Sequence, residues 1–189
     1  RNVATGRDVL VGTNKYPNPK EQLTFDPEEL IQSLDFDTTR AAYPTEVMRM
    51  ASELHKRKKQ RRPKAIIAVI GERVQRHVNA SFAQEFFTCA GFETEIQQFD
   101  TVEQASDQLT NADTEVLVVS SSESAYVREF GPRIRNHHAR PTVILADNPE
   151  HMKDEMLDNG YDEFIFEDCD MSAIMNVINR KLHGEGDKE

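Results

Sequence analysis

The chain has 189 residues, 38% of them hydrophobic and 30% charged, with a formal net charge of −10, which suits one good domain or a domain with an appendage. It has no apolar run near the roughly 18 residues of a membrane span and nothing laid out as a signal peptide, so a cytoplasmic protein is expected. Cys89 and Cys169 lack CxxC spacing and read as free thiols in a reducing compartment, not as a disulfide or a metal pair. The charge is uneven. Residues 1–64 hold 13 Lys+Arg against 9 Asp+Glu, and the remainder hold 10 against 24, so the larger part repels nucleic acid.

Residues 1–22 offer one strand candidate, Asp8–Gly12, followed by a Pro- and Asn-rich exit. One strand cannot bury both its faces alone, so this segment reads as the last element of a larger body. The chain opens on Arg in mid-pattern, and several hundred further residues are expected before it. Residues 23–63 read as a linker. A helix begins at Pro44-Thr45 with an apolar stripe of Val47, Met50, Ala51 and Leu54, and a basic hinge runs from His55 to Arg62 as a solvated helix end that meets an acidic surface. Pro63 discourages helix just before the next element.

From Lys64 the pattern is regular. The unbroken apolar run Ala65–Ile70 predicts a strand covered on both faces. Phe82, Phe86, Phe87 and Ala90 then recur at helical steps over a helix expected from about Asn79 to Ala90, and Gly91 supplies a left-handed stop. Further strands are predicted at Thr94–Phe99, Val116–Ser120, Thr142–Ala146 and Glu163–Phe166. Further helices follow Asp100 as a cap, span Ser124–His137 unevenly around Gly131-Pro132, follow Asp147-Asn148-Pro149 with Pro at the first helical position, and span Met171–Leu182. The expected fold is α/β: a flavodoxin-like, five-stranded parallel sheet in the order 2-1-3-4-5 with helices on both faces over residues 64–183, and a tail at 184–189.

Ligands of such sheets sit beyond the carboxyl ends of the strands. The loop ERVQRHVN (Glu72–Asn79) has no glycine to bring backbone donors near a phosphate, which argues against a nucleotide or flavin there. A phosphoacceptor receiver would accept Glu72 but needs an Asp and a Lys where Ser120 and Glu167 stand. His77 could ligate a metal or cofactor, yet no acidic residue lies between Glu72 and Glu85 to orient it, so a surface histidine is the simpler reading. His137-His138 complements a helix C-terminus. Ser120-Ser121-Ser122 could hold a polar ligand or simply satisfy the strand end. Glu167, Asp168 and Asp170 could hold a hard cation or form a solvated, helix-capping turn.

Two stretches carry a resemblance. GRDVLVGTNKY (Gly6–Tyr16) is similar to the closing strand of the acyl-CoA-binding barrel of methylmalonyl-CoA mutases, and Pro63–Leu182, with AGFETEI at Ala90–Ile96, resembles their C-terminal cobalamin-binding domain. Members that bind cobalamin carry D-x-H-x-x-G after strand one, with the His as lower cobalt ligand, the Asp orienting it and the Gly admitting the cofactor. Counted back from Ala90-Gly91-Phe92, those places hold Val74, Arg76 and Asn79; slid by one, His77 falls under the His, with Gln75 and Ala80 in the other two. Ala146-Asp147 and Glu167-Asp168 stand where the family has glycine. The resemblance therefore implies the small-subunit branch of a heterodimeric mutase. Adenosylcobalamin and the isomerisation of methylmalonyl-CoA to succinyl-CoA would belong to a large catalytic partner. No residue of this chain is assigned as catalytic, cofactor-binding or metal-ligating. The alternative is a domain that takes cobalamin or another ligand through His77 and Ser120–Ser122.

Overall fold

A computed structural model gives the fold and describes residues 43–71, 77–135 and 141–182. The expectations for residues 1–22, for 23–42 and for the tail at 184–189 lie outside them. In chain order the elements are α1 (Tyr43–Lys59), β1 (Lys64–Ile70), α2 (His77–Cys89), β2 (Glu93–Phe99), α3 (Val102–Leu109), β3 (Val116–Ser120), α4 (Ser124–Ile134), β4 (Thr142–Leu145), α5 (Lys153–Asp158), β5 (Glu163–Phe164) and α6 (Met171–Leu182). They fall into two compact units. One takes the chain up to Pro63, Glu85–Glu93 and the residues from Asp168; the other takes Lys64–Gln84 and Thr94–Glu167. None of the helices among the described residues is long and apolar enough to cross a membrane.

The second unit is built on a five-stranded parallel sheet in the order β2-β1-β3-β4-β5, as the sequence predicts. β1 and β3 pair from Ala65↔Val116 to Val69↔Ser120, and β3 and β4 from Val116↔Thr142 to Val119↔Leu145. One sheet face is made by alternate residues: Ile66, Ala68 and Ile70, then Leu117 and Val119, then Val143 and Leu145. Against it stand residues at helical spacing: Val102, Ala105 and Leu109 of α3, Val127, Phe130 and Ile134 of α4, and Met156 of α5. Each large apolar side chain so buried contributes about 1.5–3 kcal/mol. The intervening residues Ala65, Ile67 and Val69 are buried as completely, which is why β1 shows no polar alternation. Tyr161 is buried in the same cluster, where its hydroxyl donates to Val127 O at 2.8 Å, and desolvation pushes its phenol well above the usual range.

The first unit contains α1, the end of α2 and α6, with α1 packed on α6. Its organising feature is the close of α2. Gly91, at φ +83°, donates to Thr88 O, and Phe92 donates to Phe87 O, both at 3.0 Å. This pair of bonds is the Schellman motif, and the apolar contact that usually accompanies it is present as an edge-on Phe87–Phe92 ring pair 5.3 Å apart. The carbonyls left at the helix end are taken up from α1 and its exit: Ser52 Oγ donates to Ala90 O, and Arg62 donates to Gly91 O at 3.1 Å while pairing with Glu53 at 2.6 Å. From Arg49 to Lys59 the buried residues of α1 are Met50, Ser52 and His55, while the expected Leu54 is only partly buried.

Smaller departures have local causes. The cap of α3 is Thr101, not Asp100. Thr101 is the extended residue; its hydroxyl accepts from Gln104 N, and the Gln104 side chain reaches back to the Asp100 N–H. Pro149 does not open α5. Its carbonyl accepts from Met152 N in a turn, and the helix starts at Lys153. β5 is two residues long, although Ile165 N still donates to Leu145 O. α4 ends at Ile134 with Arg135 as its cap, and His137-His138 lies outside the described residues.

Candidate functional site at the carboxyl ends of the strands

The sheet order reverses between β1 and β3, so the crevice of this fold opens beyond Gly71 and Ser120. Gly71 lies at φ +92° and donates to Phe99 O at 3.0 Å. Its missing side chain is needed. A Cβ there would come within 2.7 Å of the Tyr126 ring and 2.8 Å of the Glu123 carboxylate, so these two side chains, from the first turn of α4 and its cap, lie directly over the end of β1. Tyr126 also packs against the apolar cluster below.

Ser120 follows the parity of Val116 and Val118, which points it away from the α3–α5 face. It is 1% exposed, and its hydroxyl has no hydrogen-bond partner among the described residues. Ser121 Oγ accepts from Glu123 N at 3.2 Å and so serves the turn, while Ser122 is exposed. At the end of β4, Asp147 Oδ1 accepts from Asn148 N and Asn148 Oδ1 from Glu150 N, closing a compact polar turn. Asn79, in the first turn of α2, donates its side-chain amide to Ala146 O at 2.9 Å.

The remaining candidates separate. His77 is the first residue of α2, and Glu72, Val74, Gln75 and Arg76 lie outside the described residues, as does the His77 side chain. Ala80 is buried. Glu167, Asp168 and Asp170 are exposed; Asp170 accepts from Ala173 N at 3.1 Å, its backbone carbonyl accepts from Ile174 N, and it thus caps α6. Among the described residues no three His, Cys, Asp or Glu side chains are placed to hold a metal ion. Cys89 and Cys169 are buried and outside any disulfide. Tyr126 and Glu123 were not foreseen from sequence, because nothing in ESAY marks a tyrosine that reaches a glycine 55 positions earlier.

A curated protein aligns with most of the chain: the methylmalonyl-CoA mutase small subunit of Porphyromonas gingivalis (strain ATCC BAA-308 / W83), 29% identical over 167 residues. The chain resembles a mutase small subunit. The alignment takes 82% of this chain and 26% of that protein, so the chain spans about a quarter of its relative's length. No family model matches the sequence. Among solved structures, a novel cobalamin-binding protein from Desulfitobacterium hafniense DCB-2 superposes with a TM-score of 0.47 at 16% identity, over 80% of this chain and 77% of that one.

With the mutase resemblance in view, the mouth is chemically plain. Among the described residues it offers the buried serines Ser120 and Ser121, a side-chain amide already engaged at Asn79, and the carboxylates of Glu123 and Asp147. An anionic ligand would meet like charge there, worth roughly 1 kcal/mol per contact in water and more where desolvated.

Proposed function

We propose that the chain is part of the non-catalytic small subunit of a two-subunit, adenosylcobalamin-dependent methylmalonyl-CoA mutase, in which this α/β domain packs against the large catalytic subunit and holds no corrinoid itself. The carrying observation is the cover over Gly71. A corrinoid with a phosphate-bearing tail needs open space and neutral or positive surroundings at the sheet mouth. Tyr126 and Glu123 occupy the place that even a Cβ at residue 71 would need, and Glu123 brings a negative charge. Asn79 and Asp147 stand where the resembling family keeps glycine, and each adds a side chain at the carboxyl end of the sheet. The described residues of the mouth do not fit the group, and no chemical step is assigned to this chain. Cobalamin and radical chemistry fall to the partner, and this domain contributes folded surface in the cytoplasm.

The test is a visible-absorbance titration of the full-length protein with cobalamin, alongside sedimentation with the large subunit. The expected result is an unchanged cobalamin spectrum and a stable one-to-one complex. A histidine-ligated spectrum that disappears in His77→Ala would overturn the proposal. A second reading, a ligand-binding module built on Ser120–Ser122 with His77, draws support from the buried, unpartnered Ser120 hydroxyl; saturable binding that is lost in both Ser120→Ala and His77→Ala would favour it.

A further inference from the structure

We propose that Asn79 is a strap that keeps the crevice of this sheet shut, and that its hydrogen bond to Ala146 is what encloses Ser120. The argument rests on the sheet topology and not on the proposed subunit role. β3 lies between β1 and β4. A bond from the helix that follows β1 to the end of β4 therefore passes over the end of β3, where Ser120 sits. Ala146 is the residue just past β4 and donates its N–H to Val119 O at 2.8 Å, which fastens the end of β4 to β3. Its own carbonyl accepts from outside the sheet. Here the donor is the Asn79 side chain at 2.9 Å, from a residue 67 positions away.

The second observation is independent of the first. Ser120 Oγ is buried and without a partner among the described residues, and a buried hydroxyl left unpaired is unfavourable. Its burial is therefore not the polar packing of the serine, and the Asn79–Ala146 bond that crosses the end of β3 accounts for it. The strap also sets what can enter. A ligand must replace the Asn79 amide at Ala146 O with a donor of its own, and it gains a second bond at Ser120. The class that fits is a neutral group with an N–H or O–H donor, such as a primary amide or an alcohol. Anions are disfavoured by Glu123 and Asp147.

Ser120→Cys in the full-length protein provides the reporter, with labelling at residue 120 by a small alkylating reagent read by peptide mass spectrometry. Cys89 and Cys169 are buried and act as internal references. Labelling at 120 should be slow with Asn79 intact and at least tenfold faster when Asn79→Asp is added, since a carboxylate of the same shape cannot donate to Ala146 O. Amide hydrogen exchange in Asn79→Asp alone covers the case in which the double variant folds poorly: exchange in Ala146–Glu150 should rise while that in Thr114–Leu117 stays unchanged. Equal labelling in both backgrounds, fast or slow, or no change in exchange at Ala146–Glu150, would overturn the strap.

Discussion

The two ends of the sheet are finished differently. At the amino ends, side chains close the strands onto one another. Glu115 accepts from the Lys64 N–H at 2.8 Å, Thr114 Oγ1 lies 3.0 Å from Lys64 O and 2.8 Å from Val116 O, and Asp162 accepts from Val143 N at 2.8 Å. Lys64 itself pairs with Glu95 at 2.6 Å. At the carboxyl ends, among the described residues, side-chain bonding serves mostly the local turns, one long-range amide reaches across, and the buried Ser120 hydroxyl is left over. The amino end is built for stability. The carboxyl end tolerates an unsatisfied group, as expected of the end where an α/β fold keeps its ligand site, whether or not the site is still used.

The strongest way to break this contrast is at the amino end. The last turn of α4 meets the end of α5 at Gly131, where an added Cβ would collide with the backbone carbonyl oxygen of Asn159 and crowd the Tyr161 ring. Backbone cannot swing aside as a flexible side chain can. Gly131→Ala should therefore destabilise by about 3 kcal/mol, the upper range for overpacking, seen as a fall in Tm of roughly 6–12 °C for a protein of this size. A change within 1 °C would mean that α4 and α5 are not held this closely in solution.

A matched pair sharpens the contrast by sign. Thr114→Val removes a buried hydroxyl whose single proton lies between Lys64 O, which also accepts from Glu115 N, and Val116 O, and should lower stability by about 1 kcal/mol. Ser120→Ala removes a hydroxyl with no partner, and should leave stability unchanged or raise it by up to about 1 kcal/mol. Denaturant midpoints at constant m-value decide the matter. If Ser120→Ala costs as much as Thr114→Val, the two ends are alike, and Ser120 has a partner in solution.

Sequence carried the fold further than the mouth, and the reason is range. The buried run Ala65–Ile70 and the stop at Gly91 are written in neighbouring residues, so β1 and the Schellman close of α2 were legible, as was the strand order that follows from five βα repeats. The cap of α3 slipped from Asp100 to Thr101 because adjacent Asp and Thr compete for one role and the backbone dihedrals choose, while at Pro149 a turn to Met152 delays the helix to Lys153. The role of Ser52 was hidden for another reason. A serine on a helix looks solvated until the helix it caps, 38 residues on, is in place. At the mouth, position 79 could be identified as the seat of a missing glycine. Neither its bond to Ala146 nor the cover of Tyr126 on Gly71 leaves a local mark, since both join residues that only the folded sheet brings together.

The smallest expected effect lies in the ion pair that finishes the amino end. Lys64, by its hydrogen bond and then with help from Gln97, holds the Glu95 carboxyl below its ordinary value of 4.5. A lowered folded value means that the pair stabilises above that ordinary value and that its contribution is lost as pH falls through the lower, folded one. The carboxylate is largely in water, so screening limits the gain to a few tenths of a kcal/mol. Glu95→Gln should accordingly shift the denaturant midpoint slightly at pH 7 and low salt, and not at all at 1 M salt, where the screening length is about 3 Å. It should also match the parent protein near pH 3. A loss that persists in high salt would place Glu95 in packing instead of charge pairing, and would make the amino end a neutral hydrogen-bonded seam with Lys64 incidental to it.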